Sequence, residues 1–305
     1  MRSRVGRVVA AMAAVGAMVS GCGGGPSQVG SAAIVGSEAI RLDQVQPRIE
    51  AVLARPDVVT ELASQGGAGA PDIARDIVTQ AVIHELSGRA AAAEGIRVTP
   101  AEVDAELMAR GGVEAVLERS LSELPVVRER IYDELVAQQL AARHVDGLAV
   151  TIDILRDISS RAAAEEAARV IVGDGPAAEA LFAQNPQASL RGVEYRASIT
   201  PDLASSVVFG TPAGGTGYFQ PSPEQNEWIV FRVTDRRTDA PPVGPTAAER
   251  IGSAELVGIG RRLLQPLADE LGVRVNPRYG VWSPIAFRVL SEDQFIGTVL
   301  PAPAG

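Results

Sequence analysis

The sequence predicts a mixed α+β chain, and three observations carry that prediction. Between Asp72 and Arg143, apolar residues recur every three or four positions in segments bounded by helix-start and helix-stop residues. From Leu148 the period changes to strand-like alternation, with Val150, Ile152 and Ile154 set against Thr151 and Asp153. After the proline-rich stretch 239–245, a helical stripe returns and ends at Gly272. A chain of 305 residues has room for two domains and a sizeable core.

The N-terminus is a separate matter. Arg2, Arg4 and Arg7 precede an apolar run from Val8 to Val19, the form of an export leader and shorter than the ~20 residues a membrane-spanning helix needs. Val19-Ser20-Gly21-Cys22 resembles the bacterial lipobox, in which small residues precede a cysteine that is lipidated and becomes the new N-terminus. Residues 1–21 are therefore expected to be a lipoprotein signal peptide, Cys22 the lipidation site, and 22–30 a flexible, glycine-rich tether. Cys22 is the sole cysteine, so no internal disulfide can form and the fold must rest on its core. Removing residues 1–21 takes away three arginines and no acid, which moves the formal charge from −9 to −12. That sign disfavours nucleic acid and anionic headgroups, so the membrane is expected to be met through the lipid on Cys22 alone, with the protein extracytoplasmic.

Ser31 to Ile40 reads as a small hairpin around a Gly-Ser-Glu turn, and Leu42 to Leu53 as a helix with Val45, Ile49, Val52 and Leu53 on one face. Residues 64–71 form a loop. The helix that follows buries Ile73, Ile77, Val78, Ala81, Val82 and Leu86, and Gly95 closes it in a left-handed conformation. Thr99 is an N-cap, Pro100 stands at the first helical position, and Glu102 completes a capping box, so a second helix packs back as a hairpin. Val113 to Ser120 is a short helix. Pro125 opens a long one to about Arg143, with Val127, Ile131, Leu135 and Leu140 inward. Residues 150–155 and 190–199 and Trp228 to Val233 are strands, 162–172 and 176–183 are helices, Thr200-Pro201-Asp202 caps a helical turn, and 210–217 is a glycine-rich bend. Thr246 and Glu249 form a further capping box, ahead of a stripe from Ile251 to Leu271.

Four segments carry a family resemblance. AAIVGSEAIRLDQV (32–45), AAAEGIRVTPAEVDAEL (91–107) and VRVNPRYGVW (273–282) resemble the opening, the helical module and the closing segment of the SurA and PrsA families of exported chaperones. GGTGYFQPSPEQNEWIVFRVTDRR (214–237) is similar to the end of the parvulin-type prolyl isomerase domain inserted in those proteins. The resemblance implies a helical chaperone module of 31–147 plus 241–300, completed by the C-terminal helix and strand, with a degenerate parvulin-like β-α-α-β-α-β domain at 148–240. It implies a lipid-anchored holdase that binds unfolded exported polypeptides, with a peptidyl-prolyl isomerase or a non-catalytic envelope scaffold as the alternatives.

Parvulins carry two facing histidines. The corresponding positions here are Asp153 and Ile229, while both histidines of the chain, His84 and His144, fall in the helical module. No catalytic residue is therefore assigned. Asp153 reads as a solvated strand residue, and His84 as a surface or interhelical histidine. Tyr218, Phe219, Trp228 and Phe231 are the candidate peptide-binding surface, with burial in the sheet as the competing reading. Gly210 and Gly215-Thr216 imitate the spacing of a phosphate loop without its lysine. Two distant histidines without thiols make no metal set, and neither GxSxG nor a dinucleotide fingerprint is present, so no metal or cofactor is expected.

Overall fold

Local start and stop signals decide the helical part of the chain. In a computed structural model, which describes residues 29–55, 60, 69–118, 120, 122–222 and 226–302, helix α1 spans Leu42–Leu53 and α2 spans Ala70–Glu94. Gly95 ends α2 with φ +62°, and its N–H is taken by the carbonyls of Ala91 and Ala92. Helix α3 (Pro100–Ala109) starts on the predicted box: the Thr99 hydroxyl accepts from the Glu102 N–H, and the Glu102 carboxylate accepts from the Thr99 N–H at 2.7 Å. Helix α4 (Gly112–Glu118) and the long α5 (Leu124–His144) follow, with Pro125 in the first turn of α5. The expected signal peptide 1–21, Cys22 and residues 23–28 of the expected tether lie outside the described residues, as do 64–68 of the expected loop and 303–305.

The first core forms where the α2 stripe meets its neighbours. Ile73, Val78, Val82 and Leu86 pack with Val45, Ile49 and Val52 of α1 and with Val136 and Leu140 of α5. Each fully buried aliphatic of this kind contributes about 1.5–3 kcal/mol. The hairpin β1 (Ser31–Val35) and β2 (Glu38–Arg41) lies on this core, and β1 is buried along its whole length.

The middle of the chain builds a five-stranded antiparallel sheet. Its strands are β3 (Ala149–Ile158), β4 (Ser189–Arg196), β5 (Thr216–Phe219), β6 (Trp228–Arg237) and β10 (Gly297–Leu300), in the order β10-β5-β6-β3-β4. Helices α6 (Arg161–Val172) and α7 (Pro176–Gln184) cover one face, where Ile171 and Phe182 meet Leu155, Trp228 and Val230. The short α8 (Pro201–Ala204) and α9 (Val207–Gly210), with α10 (Ser253–Leu263), cover the other, where Phe209 and Ile259 meet Ile152, Phe231 and Val233. The strand β5 lies in the stretch whose glycines read as a bend. Gly217 is there for space, because a Cβ would stand 2.4 Å from the Phe231 ring.

Three sequence expectations in the C-terminal part need correcting. Thr246 makes no side-chain cap: residues 247–249 form a 3-10 turn, and the Ala247 N–H is taken instead by Asp146 Oδ1 at 2.8 Å. The single predicted helix is two, α10 and α11 (Gln265–Leu271), broken at Leu264 ahead of Pro266, which has no N–H to continue the ladder. Residues 297–300, placed by sequence in the module segment 241–300 with no strand read there, form β10 and pair with β5, from Gly297 opposite Phe219 to Leu300 opposite Thr216.

Before that strand, β7 (Val273–Val275) pairs with β1, and β8 (Val281–Ser283) pairs with β9 (Arg288–Leu290). The NPRYG segment has a definite local task here: Asn276 donates from its backbone to Ala32 O and from its side chain to Ser31 O, both at 2.9 Å. Thr79 of α2 accepts from the Val289 N–H at 2.9 Å, which fixes β9 to the first core.

Helix α10 crosses α5 with no side chain between the backbones, since a Cβ on Gly260 would lie 1.9 Å from the Ala137 carbonyl oxygen. Gly260→Ala is therefore expected to destabilise the protein by ~1–3 kcal/mol despite alanine's better helix propensity, because two helices must separate to admit the methyl group. Chemical denaturation checks this, and a stability unchanged from wild type would show that the crossing relaxes freely.

Candidate functional site

The feature with the shape and chemistry of a binding site is a cleft of about 510 Å³ in the helical part. One wall is the turn and first residues of α3, with Val98, Thr99, Pro100 and Val103; the other is the start of α5, with Pro125, Arg128, Glu129 and Tyr132. Pro100 and Pro125 occupy helix starts because an absent N–H costs nothing there. Both remain exposed, so two helix-start signals also provide apolar wall.

The charges at the mouth are satisfied within the protein. Glu129 receives a bidentate pair from Arg48 of α1, at 2.7 and 2.9 Å, and Arg128 donates to Asp104. These groups frame the apolar walls without demanding a charged ligand. By contrast, a cavity of about 370 Å³ between α3, α5 and α10 has Glu106, Arg110, Glu134 and Arg261 on its walls. Arg110 bonds Glu134 and Glu106 at 2.8 Å there, which makes that cavity an internal ion-pair network.

At the cleft's inner edge lies a pair that sequence reading did not anticipate. His84 Nδ1 stands 2.9 Å from Oδ1 of Asp133, whose side chain is 4% exposed while the imidazole is 44% exposed. With Asp133 ionised, its carboxylate only accepts, so Nδ1 donates to it and Nε2 is left for other partners. The Tyr132 ring meets the imidazole edge-on with centroids 5.9 Å apart. The hydrogen bond to Asp133 holds the imidazole above its ordinary pKa, against partial burial. Burial pushes the Asp133 carboxyl up, and the bond to His84 opposes it. His84 also borders a smaller hollow of about 180 Å³ on its other flank, lined by Ile40, Val45, Arg48 and Ala81.

The residues singled out from sequence lie elsewhere. Tyr218, Trp228 and Phe231 are buried in the sheet's two cores and Phe219 is half-buried. Tyr218 and Trp228 sit together under α6 and α7, with ring centroids 6.1 Å apart, whereas Phe219 and Phe231 sit on the opposite face, 6.0 Å apart. The four rings thus form two packing pairs and not one surface. Asp153, expected to be solvated, is 4% exposed. A β-bulge sets Arg191 and Gly192 against this one residue, and the Asp153 carboxylate takes the Gly192 N–H at 2.8 Å, with Arg191 3.7 Å away. Its cross-strand neighbour on β6 is Arg232, while Ile229 lies opposite Phe219 of β5. His144 meets Glu94 at 3.2 Å, away from the cleft lining.

Among the described residues no group of three or more His, Cys, Asp or Glu is placed to hold a metal, and no helix is long and apolar enough to cross a membrane. No protein-family model and no curated protein matches the sequence. Among solved structures, the foldase protein PrsA from Lactococcus lactis is similar at 10% identity, covering 81% of this chain and 95% of its own, with a TM-score of 0.29. That score is too low to carry a fold or a function across.

Proposed function

We propose that the chain is a lipid-anchored, extracytoplasmic holdase that binds apolar segments of unfolded exported polypeptides in the α2–α3–α5 cleft. The observation that carries this reading is an open apolar groove whose mouth charges are already paired with one another. Its volume lies within the range of clefts that bury a ligand's side chains. Every Å² of client apolar surface removed from water contributes about 25 cal/mol, which suits reversible capture, because an unfolded client must also lose conformational entropy to bind. The export leader and Cys22 support delivery to a compartment where unfolded chains arrive. The mature charge keeps the fold off nucleic acid and anionic lipid.

The test is suppression of light scattering by an aggregating client. The full chain is expected to suppress it at near-equimolar ratio, and scattering equal to the client alone would remove the holdase reading. For the isomerase alternative, Asp153, at the position of one parvulin histidine, is already engaged by the Gly192 N–H, and Tyr218, Trp228 and Phe231 are buried. In a protease-coupled assay on Xaa-Pro peptides, the rate is expected to equal that in buffer, where the peptide barrier is ~18–20 kcal/mol. A clear acceleration would return the function to the sheet.

A further inference from the structure

The Asp153 carboxylate is taken up by the β-bulge and the Arg262 guanidinium by main-chain carbonyls. The buried Asp133 carboxylate instead holds a residue of the cleft wall, His84.

We infer that His84, clamped through Nδ1 by Asp133, is the polar anchor of the cleft and offers Nε2 to the main chain of an extended apolar polypeptide, so that client binding responds to protonation of this one residue. The inference rests on the holdase reading and names how the same site recognises its client. An apolar groove alone would take any greasy side chain. A hydrogen-bonding group at its inner edge adds a preference for a bound chain whose backbone is unpaired, the condition that separates an unfolded client from a folded one.

The geometry supports a specific switch. With the imidazole neutral, Nδ1–H donates to Asp133 and Nε2 has only a lone pair, which accepts a client N–H. With the imidazole protonated, Nε2–H becomes a charged donor to a client C=O, the stronger of the two bonds. The groups facing His84 are few: Asp133, Glu129, Arg128 and Tyr132 from α5, Arg48 from α1, Glu38 from β2, and Glu85 beside it on α2. Helix α3 presents only Pro100 and Val103 there, after the Thr99 cap. Asp133 and Glu129 favour the imidazolium, and Arg48 opposes it. A histidine held above its ordinary value keeps its charged pair below that ordinary value and loses it as pH rises through the raised one. Tighter binding is thus expected at pH 6 than at pH 8.

The test uses the full chain and a dansylated twelve-residue peptide of alternating Leu and Ser, with affinity read by fluorescence at both pH values. Wild type is expected to bind about tenfold more tightly at pH 6, and His84→Gln, which keeps a donor but does not titrate, to bind with one affinity at both. Linkage requires the converse: saturating peptide raises the His84 pKa, read from its imidazole resonance, by about one pH unit. This second measurement uses wild-type protein and holds even where the variant folds poorly. Tight binding that is independent of pH, or an unmoved His84 resonance, would overturn the anchor while leaving the cleft. Absence of peptide binding at both pH values would overturn the cleft reading and the anchor with it.

Discussion

Replacing Pro100 and Pro125 together by glutamate is expected to weaken client binding at least tenfold while leaving the fold in place. Both prolines are exposed, and both stand in the first turn of a helix. Glutamate suits those positions, since a carboxylate near a helix N-terminus gains about 0.3–1 kcal/mol from the dipole. Losing a proline costs a similar ~0.4–1 kcal/mol through the greater freedom of the unfolded chain, so the two effects nearly cancel. The cleft is affected differently. Two ionised groups now line walls that were apolar, and a client side chain entering must strip water from them without offering a partner. The double variant should show wild-type denaturation and lose suppression of light scattering. Retained suppression would place client binding elsewhere.

Arg262→Met is expected to have the largest effect on stability, about 3–5 kcal/mol. The guanidinium has no carboxylate partner among the described residues. Instead it donates to the carbonyls of Ser205 at 2.8 Å, Pro284 at 3.0 Å and Ile285 at 2.6 Å, and to Gln265 Oε1 at 3.1 Å. Burial pulls its pKa down to about 10, which still leaves it charged at neutral pH. Methionine fills similar volume but donates nothing, and backbone carbonyls cannot be mutated away. Three are left part-buried without a donor, each costing up to ~1–3 kcal/mol before relaxation. Because these carbonyls belong to the segment after α8 and to the loop after β8, the joint between sheet and helices should loosen first. A fall in Tm of ~10 °C is the expected readout. Arg262→Lys, which keeps a charge but loses the planar fork, should recover part of it.

Features that depend on a few neighbouring residues were legible in the sequence. The Thr99–Glu102 box, the Gly95 stop and the Pro125 start need no knowledge of the rest of the chain, and each is found where its local chemistry puts it. Where distant segments decide the outcome, the sequence was silent or misleading. Strand composition made Trp228 and Phe231 strand residues, but it does not say that helices cover both faces of the sheet, and both rings proved to be core. The strand β5 is four residues long with a glycine whose place is set by Phe231, so its composition reads as a bend. Asp153 was misjudged because its partner, the Gly192 N–H, exists only through a bulge in the opposite strand.

The His84–Asp133 pair joins residues 49 apart in sequence, on two helices that each look ordinary alone. A faint signal was present: Asp133 lies within the segment spanned by Val127, Ile131 and Val136, and a carboxylate so close to a buried stripe needs a partner.

The measurement that tests the central claim most directly is site-specific photo-crosslinking. A benzophenone side chain at position 98, on the half-buried wall of the cleft, is compared with one at position 219, on the half-buried rim of the sheet. With an unfolded client present, the α2–α3–α5 cleft predicts a strong crosslink from 98 and little from 219; strong crosslinking from 219 with none from 98 would contradict it.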